Sequence, residues 1–204
     1  MRETLQRLRL VPVVMIHDYR HAVPLARALR AGGIGAIEVT LRTAAAWDAA
    51  AAIRDAEPDL LLGIGTITVP DQFERARALG AGFAVSPGST PALRAAARAA
   101  GIAYLPGVAT VSEILAVSED GIETMKFFPA ASAGGIAALK AFAPLFDRIA
   151  FCPTGGITED NAADYLALPN VVAVGGSWMA PPARVDAGDW AGITALAARS
   201  LACL

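Results

Sequence analysis

The order of apolar and amphipathic segments predicts an α/β protein, a (β/α)₈ barrel of eight parallel strands behind a short N-terminal helix. Three observations carry that expectation. Short apolar runs rich in β-branched residues alternate with alanine- and leucine-rich stretches of helical spacing, which implies right-handed crossovers and a parallel sheet. Polar residues able to do chemistry fall late in the strands or just after them, where barrels of this kind place their sites. Of the 204 residues, 55 % are hydrophobic and 18 % charged, which suits a large core and argues against disorder. The chain is short for a fold that takes about 250 residues, so its helices and loops must be compact. A doubly wound open sheet is the alternative. No linker, low-complexity tract or break in composition appears, so residues 1–204 are read as one domain.

The elements follow in order. Residues 1–12 read as a short amphipathic helix with Leu5 and Leu8 on one side. Residues 11–16 form an apolar first strand, and 19–31 a helix spaced by Ala22, Leu25, Ala26 and Leu29 and ended by Gly32-Gly33. A second strand spans 36–41, and a helix 44–56 stops at Glu57-Pro58. The third strand is 60–64, followed by a helix over 70–79 with Pro70 in its first turn. Strand four is 82–85. Its helix spans 90–100, with Thr90 as N-cap and Pro91 at the first position. Residues 103–105 form strand five and 111–117 a short helix capped by Thr110. Strand six is 122–127 with its helix at 136–142. Strands seven and eight, 148–152 and 171–174, flank a helix near 160–166, and 189–204 is a closing helix.

The sixth strand holds the most informative residue. Glu123-Thr124-Met125-Lys126-Phe127-Phe128-Pro129-Ala130 is a short apolar strand carrying one lysine near its end. A strand buried on both faces is normally apolar throughout, so Lys126 needs a reason. Burial disfavours the ammonium form, and a neutral lysine amine attacks carbonyl carbon. Lys126 is therefore the candidate Schiff-base nucleophile. On strand two, alternation puts Glu38, Thr40 and Arg42 on one face, with Ile37, Val39 and Leu41 towards the helices. Glu38 is the candidate general acid/base. Arg42 offers a bidentate fork for a carboxylate. Gly65-Thr66 at the tip of strand three lets a ligand approach the backbone and adds a hydroxyl. Ser86-Pro87-Gly88 and Pro106-Gly107 read as turn chemistry.

Loops after strands seven and eight of a barrel often cradle phosphate with backbone N–H groups. Here those positions hold Thr154-Gly155-Gly156 and Gly175-Gly176-Ser177. His17 and His21 read as bystanders, His21 solvated on a helix, and Cys152 as a small buried hydrophobe. Trp47, Trp178 and Trp190 read as packing or subunit contacts. No His and carboxylate cluster suggests a metal. The formal net charge of −2 provides no footprint for nucleic acid or an anionic membrane. With two widely spaced cysteines, no signal peptide and no apolar run of spanning length, a cytoplasmic protein is expected. A nucleophilic lysine, one carboxylate, an arginine and a distal phosphate cradle fit a metal-free Schiff-base aldolase acting on a phosphorylated 2-keto acid. A phosphosugar epimerase or isomerase with Glu38 as base, and a non-catalytic barrel that binds a phosphorylated sugar acid, stand as alternatives.

Taken together, Glu38-Val39-Thr40-Leu41-Arg42-Thr43, Gly65-Thr66, Ser86-Pro87-Gly88, Lys126-Phe127-Phe128-Pro129-Ala130, Cys152-Pro153-Thr154-Gly155-Gly156-Ile157 and Gly175-Gly176-Ser177-Trp178 resemble the 2-keto-3-deoxy-6-phosphogluconate (KDPG) aldolase family, which also cleaves 4-hydroxy-2-oxoglutarate (KHG). The resemblance runs in order along nearly the whole chain, including Val11-Pro12-Val13 and His21-Ala22-Val23-Pro24. It implies a TIM barrel, a homotrimer and class I chemistry with no cofactor beyond a covalent imine. The implied substrates are a phosphorylated 2-keto-3-deoxy sugar acid and pyruvate. By the same resemblance the Schiff-base lysine is Lys126 and the acid/base Glu38. Arg42 and Thr66 contact the keto acid, Pro87 and Phe128 line the pocket, and Thr154, Gly155, Gly156, Gly176 and Ser177 lie on the phosphate side. One position departs from the family pattern: Ala131 stands where many members carry a glutamate, which leaves the aldehyde half and the galactonate epimer open.

Overall fold

The structure, a computed structural model, describes all 204 residues. It contains ten helices and nine strands. Helix α1 (Arg2–Leu8) leads into β1 (Leu10–Val14), then α2 (Ala22–Ala31), β2 (Ala36–Thr40), α3 (Ala46–Ala56) and β3 (Leu61–Gly65). Next come α4 (Asp71–Leu79), β4 (Phe83–Val85), α5 (Pro91–Ala100), β5 (Ala103–Leu105), β6 (Gly107–Val108) and α6 (Val111–Ser118). The chain closes with β7 (Thr124–Phe127), α7 (Gly135–Phe142), β8 (Ala150–Pro153), α8 (Ala162–Leu166), β9 (Val174–Gly176), α9 (Pro182–Asp186) and α10 (Trp190–Ala202). No helix is long and apolar enough to cross a membrane.

The helix boundaries follow local chemistry. Thr90 caps α5 by accepting from the Leu93 N–H at 3.2 Å, with Pro91 at the first position. Thr110 and Glu113 form a reciprocal capping box at the start of α6. The expected helix over 19–31 begins instead as a 3₁₀ turn, Tyr19–His21, because Asp18 accepts from the Arg20 N–H and ties the chain down locally. The five-residue helix α9 had no counterpart in the sequence pattern.

The predicted closed barrel of eight strands does not form. Six strands make one parallel sheet in the order β5-β4-β3-β2-β1-β9, and β6-β7-β8 make a second. Both seams contain a proline. The Pro106 carbonyl accepts from the Lys126 N–H at 2.8 Å, so by strand alternation its nitrogen faces β7 too, with no hydrogen to give. Residues 103–105 pair with β4, and pairing with β7 starts only from the Pro106 carbonyl onwards. At the other seam Phe151 donates to Asn170 and accepts from Val172. Two residues on, Pro153 faces the same way and cannot continue that ladder. Only isolated parallel bridges, Phe151↔Val171 and Thr154↔Gly175, join β8 to the β9 side, and the last strand falls at Val174–Gly176 rather than 171–174.

All strands still run in one sense, so their C-terminal ends face one side. Alternation sorts the core into two clusters. Ile37, Val39, Ile64, Met125 and Phe151 pack against the helices in the larger one. Val11, Phe83, Val85, Leu105, Ala150 and Cys152 fill the smaller one between the sheets, joined by Leu5 of α1. Helix α1 thereby closes the N-terminal end of the strands, and its Arg2 donates to the Arg148 carbonyl just before β8. The opposite end is left for the site.

Candidate active site

Glu38 is the third residue of β2, on the face opposite Ile37 and Val39, and is 2 % exposed. Lys126 is the third residue of β7 and is 5 % exposed. The two belong to different sheets, yet Lys126 Nζ donates to Glu38 Oε1 at 3.2 Å. The lysine that stands out in an apolar strand thus has a carboxylate partner, 88 positions away in sequence. A buried ion pair is a weak source of stability, because desolvation offsets much of its attraction. Its presence calls for another explanation, and the space around it supplies one.

Room for the Glu38 carboxylate comes from the neighbouring strand. Glu38 pairs with Gly63 and Thr40 with Gly65 in the β2–β3 register. A Cβ on Gly65 would overlap Glu38 Oε1, and one on Gly63 would overlap the Phe83 ring. Thr66 follows with a φ of 61°, a left-handed conformation that costs a β-branched residue about 1–3 kcal/mol and that clusters at functional sites.

The pair opens into a cavity of about 130 Å³. Its wall carries Glu38, Arg42, Thr66, Pro87, Lys126, Phe128 and Thr154, all candidates from the sequence, together with Val13 and Thr40. The Phe128 ring centroid lies 5.2 Å from Lys126 Nζ, within cation–π range. Arg42, just beyond β2, is exposed and makes no ion pair with any carboxylate of the chain.

A second cavity of about 160 Å³ adjoins the first through Val13, Arg42, Phe128 and Thr154. Gly155, Gly156, Ile157, Gly176 and Ser177 complete it. Gly155 and Gly156, in the loop after β8, have φ of 96° and 79°, a conformation that costs L side chains. Ala131, the position that departs from the family pattern, sits on its rim: its N–H donates to the Gly155 carbonyl at 2.9 Å, and a Cβ on Gly156 would overlap its methyl.

All eleven site residues singled out in the sequence therefore line these two cavities. Sequence reasoning missed Val13, Ile157 and any part for Thr40. The alternation that selected Glu38 would have selected Val13 on β1. Among residues set aside, Cys152 is buried in register with Lys126, and burial pushes its thiol up to about 12. His17 is exposed. His21 is not solvated as expected but half-buried, edge-to-face with Trp190 at 5.6 Å. Trp178 donates to Ser200 at 2.9 Å, and Arg75 lies over Trp47 at 4.2 Å, so both are packing residues. No three His, Cys, Asp or Glu side chains converge on a common point.

Known proteins resemble this chain over nearly its whole length. A protein of Pseudoalteromonas atlantica named 2-dehydro-3-deoxy-phosphogluconate aldolase is 50 % identical over 192 residues, 94 % of this chain and 89 % of its own. The KHG/KDPG aldolase of Escherichia coli K12 is 46 % identical over 187 residues, 92 % of this chain and 88 % of its own. A crystal structure of the Legionella pneumophila KDPG aldolase, with pyruvate captured as a covalent carbinolamine, superposes with a TM-score of 0.94 at 44 % identity, covering 97 % of each chain. The model of the KDPG and KHG aldolase family matches residues 1–196, and this chain, a lyase by that membership, belongs to the KDPG and KHG aldolase family.

Proposed function

We propose that the chain, acting as one catalytic domain, cleaves 2-keto-3-deoxy-6-phosphogluconate to pyruvate and D-glyceraldehyde 3-phosphate through an imine on Lys126. The same site would cleave 4-hydroxy-2-oxoglutarate to pyruvate and glyoxylate. The observation that carries this reading is the buried Lys126–Glu38 pair at 3.2 Å, facing a cavity beside an arginine with no carboxylate partner. Transfer of one proton from Nζ to Oε1 leaves a neutral amine and a neutral acid, with no net charge moved from the site.

The neutral amine adds to the C2 carbonyl, and Glu38 supplies the proton with which the C2 oxygen leaves as water. Glu38, now a carboxylate, takes the C4 hydroxyl proton, directly or through a water. The C3–C4 bond breaks, its electrons move into the iminium to give an enamine, and the aldehyde departs. Glu38 returns the proton to C3, water hydrolyses the imine, and pyruvate leaves with Lys126 regenerated. The protonated imine is the electron sink, so this route needs no metal.

Arg42 and Thr66 hold the keto-acid end, and Pro87 and Phe128 shape the pocket around it. Thr154 stands between the two cavities. Gly155, Gly156, Gly176 and Ser177 receive the phosphate through backbone N–H groups and one hydroxyl. Ala131 beside Gly156 makes the aldehyde half the place where specificity is set. The kcat/KM ratio for the gluconate and galactonate epimers reads that choice. The homotrimer implied by the family resemblance belongs to this reading and is checked by sedimentation. The cytoplasm, favoured by the free thiols of Cys152 and Cys203, is checked by fractionation.

The deciding experiment is treatment with pyruvate and sodium borohydride, followed by digestion and mass spectrometry. The reduced adduct is expected on the peptide containing Lys126. Folded protein with an unmodified Lys126 would rule out the imine route and leave an epimerase or isomerase with Glu38 as base, or a non-catalytic barrel that binds a phosphorylated sugar acid.

A further inference from the structure

The end of β2 and the loop that follows it are tied to the end of β1 and the chain beyond it by two threonine hydroxyls. Thr40 Oγ1 donates to the Val14 carbonyl at 2.8 Å, and Thr43 Oγ1 donates to the Ile16 carbonyl at 2.6 Å. Between them, Arg42 is held twice by Thr40. Its backbone N–H donates to the Thr40 carbonyl at 2.8 Å, and its Nε donates to the Thr40 hydroxyl at 3.2 Å.

Thr40 is 1 % exposed and lines the same cavity as Lys126 and Glu38. A hydroxyl has one proton and two lone pairs. Because the Thr40 proton is directed at Val14, the oxygen presents a lone pair to Arg42 Nε and cannot rotate to compete with it. The hydrogen bond to Nε orients a guanidinium whose stem is otherwise exposed, and it leaves the two terminal nitrogens without a protein acceptor. Those nitrogens form the edge that grips a carboxylate bidentately.

We infer that Thr40 is a positioning residue for the aldolase reaction: its hydroxyl, locked by the Val14 carbonyl, aims the Arg42 guanidinium at the carboxylate of the keto acid. The inference rests on the reading of Arg42 as the carboxylate clamp. The measurement is the pyruvate concentration that half-saturates borohydride inactivation, which precedes any carbon–carbon bond step. Thr40→Val keeps the branched shape and loses the hydroxyl. It is expected to raise that concentration about threefold to tenfold, as for one hydrogen bond of ordinary net strength, while kcat at saturating substrate stays within about twofold. Thr40→Ser restores the wild-type value. Thr40→Ala serves in place of Thr40→Val if the valine variant does not fold.

The control is the same substitution on an Arg42→Ala background, where Thr40→Val should add nothing. A rise that persists there, or no rise while Arg42→Ala alone weakens pyruvate, would overturn the positioning role. Arg42→Ala with unchanged pyruvate dependence would instead refute the clamp itself, a different failure.

Discussion

Glu38 and Lys126 stand on β2 and β7, 2 % and 5 % exposed, whereas Gly156 and Ser177 of the adjoining cavity lie on loops open to solvent. The reacting pair of the first cavity stands on strands, buried and joined to each other by a hydrogen bond. The second adds backbone from the loops after β8 and β9, where Gly155 and Gly156 hold a left-handed conformation that costs other residues. A covalent step requires atoms held within about half an ångström, which regular elements provide. An anchor for a doubly charged phosphate needs several donors and tolerates looser placement. The difference between the cavities is the difference between reacting with a substrate and holding it.

The largest effect should come from removing the nucleophile. Lys126→Ala is expected to lower kcat/KM by about 10⁴-fold or more and to abolish borohydride inactivation with pyruvate, as measured in steady-state and trapping assays. Activity within about tenfold of wild type would mean that the first cavity is not where the bond breaks.

Gly65→Ala tests how tightly that cavity is specified, because the new methyl overlaps Glu38 Oε1 and forces the carboxylate aside. Displacing a catalytic group by about 1 Å costs about 10²-fold. A fall in kcat of that order is expected, with pyruvate still trapped on Lys126. Unchanged kcat would show that the Glu38 position is more forgiving than its burial suggests.

Gly156→Ala probes the second cavity. A left-handed alanine costs about 1–2 kcal/mol, and its methyl meets Ala131. KM for the phosphorylated substrate should rise about tenfold, while kcat/KM for 4-hydroxy-2-oxoglutarate, which has no phosphate, changes little. Equal losses on both substrates would erase the distinction between the two cavities.

The smallest effect concerns Cys152, behind Lys126 in the strand register. Its thiol is pushed up to about 12 by burial. The folded state therefore favours the neutral thiol, and the resulting stability is complete below the unfolded value of about 8.5 and is lost as pH rises towards about 12. Cys152→Ala should flatten the alkaline limb of the stability curve, read from urea midpoints between about pH 8 and about pH 11. In native protein at about pH 8, a thiol reagent should modify exposed Cys203 and spare Cys152.

Much of the site was legible because it depends on period-two alternation and on residue types that are unusual where they stand. One lysine in an apolar strand, one glutamate facing away from Ile37 and Val39, and glycine pairs after late strands are local signals. The Thr40–Arg42 contact was within reach of the same reading, since both residues share a face. That the Thr40 proton goes to Val14, 26 positions away, was not.

Alternating apolar runs and helical spacing determined the parallel α/β order, and residue chemistry determined which side chains can react. The tertiary structure alone decided that the sheet divides into six and three strands, because a missing proline N–H matters only against a particular neighbour. It alone decided that Lys126 meets Glu38 across two sheets, because a contact spanning 88 positions is a property of how strands are placed and leaves no trace in local spacing.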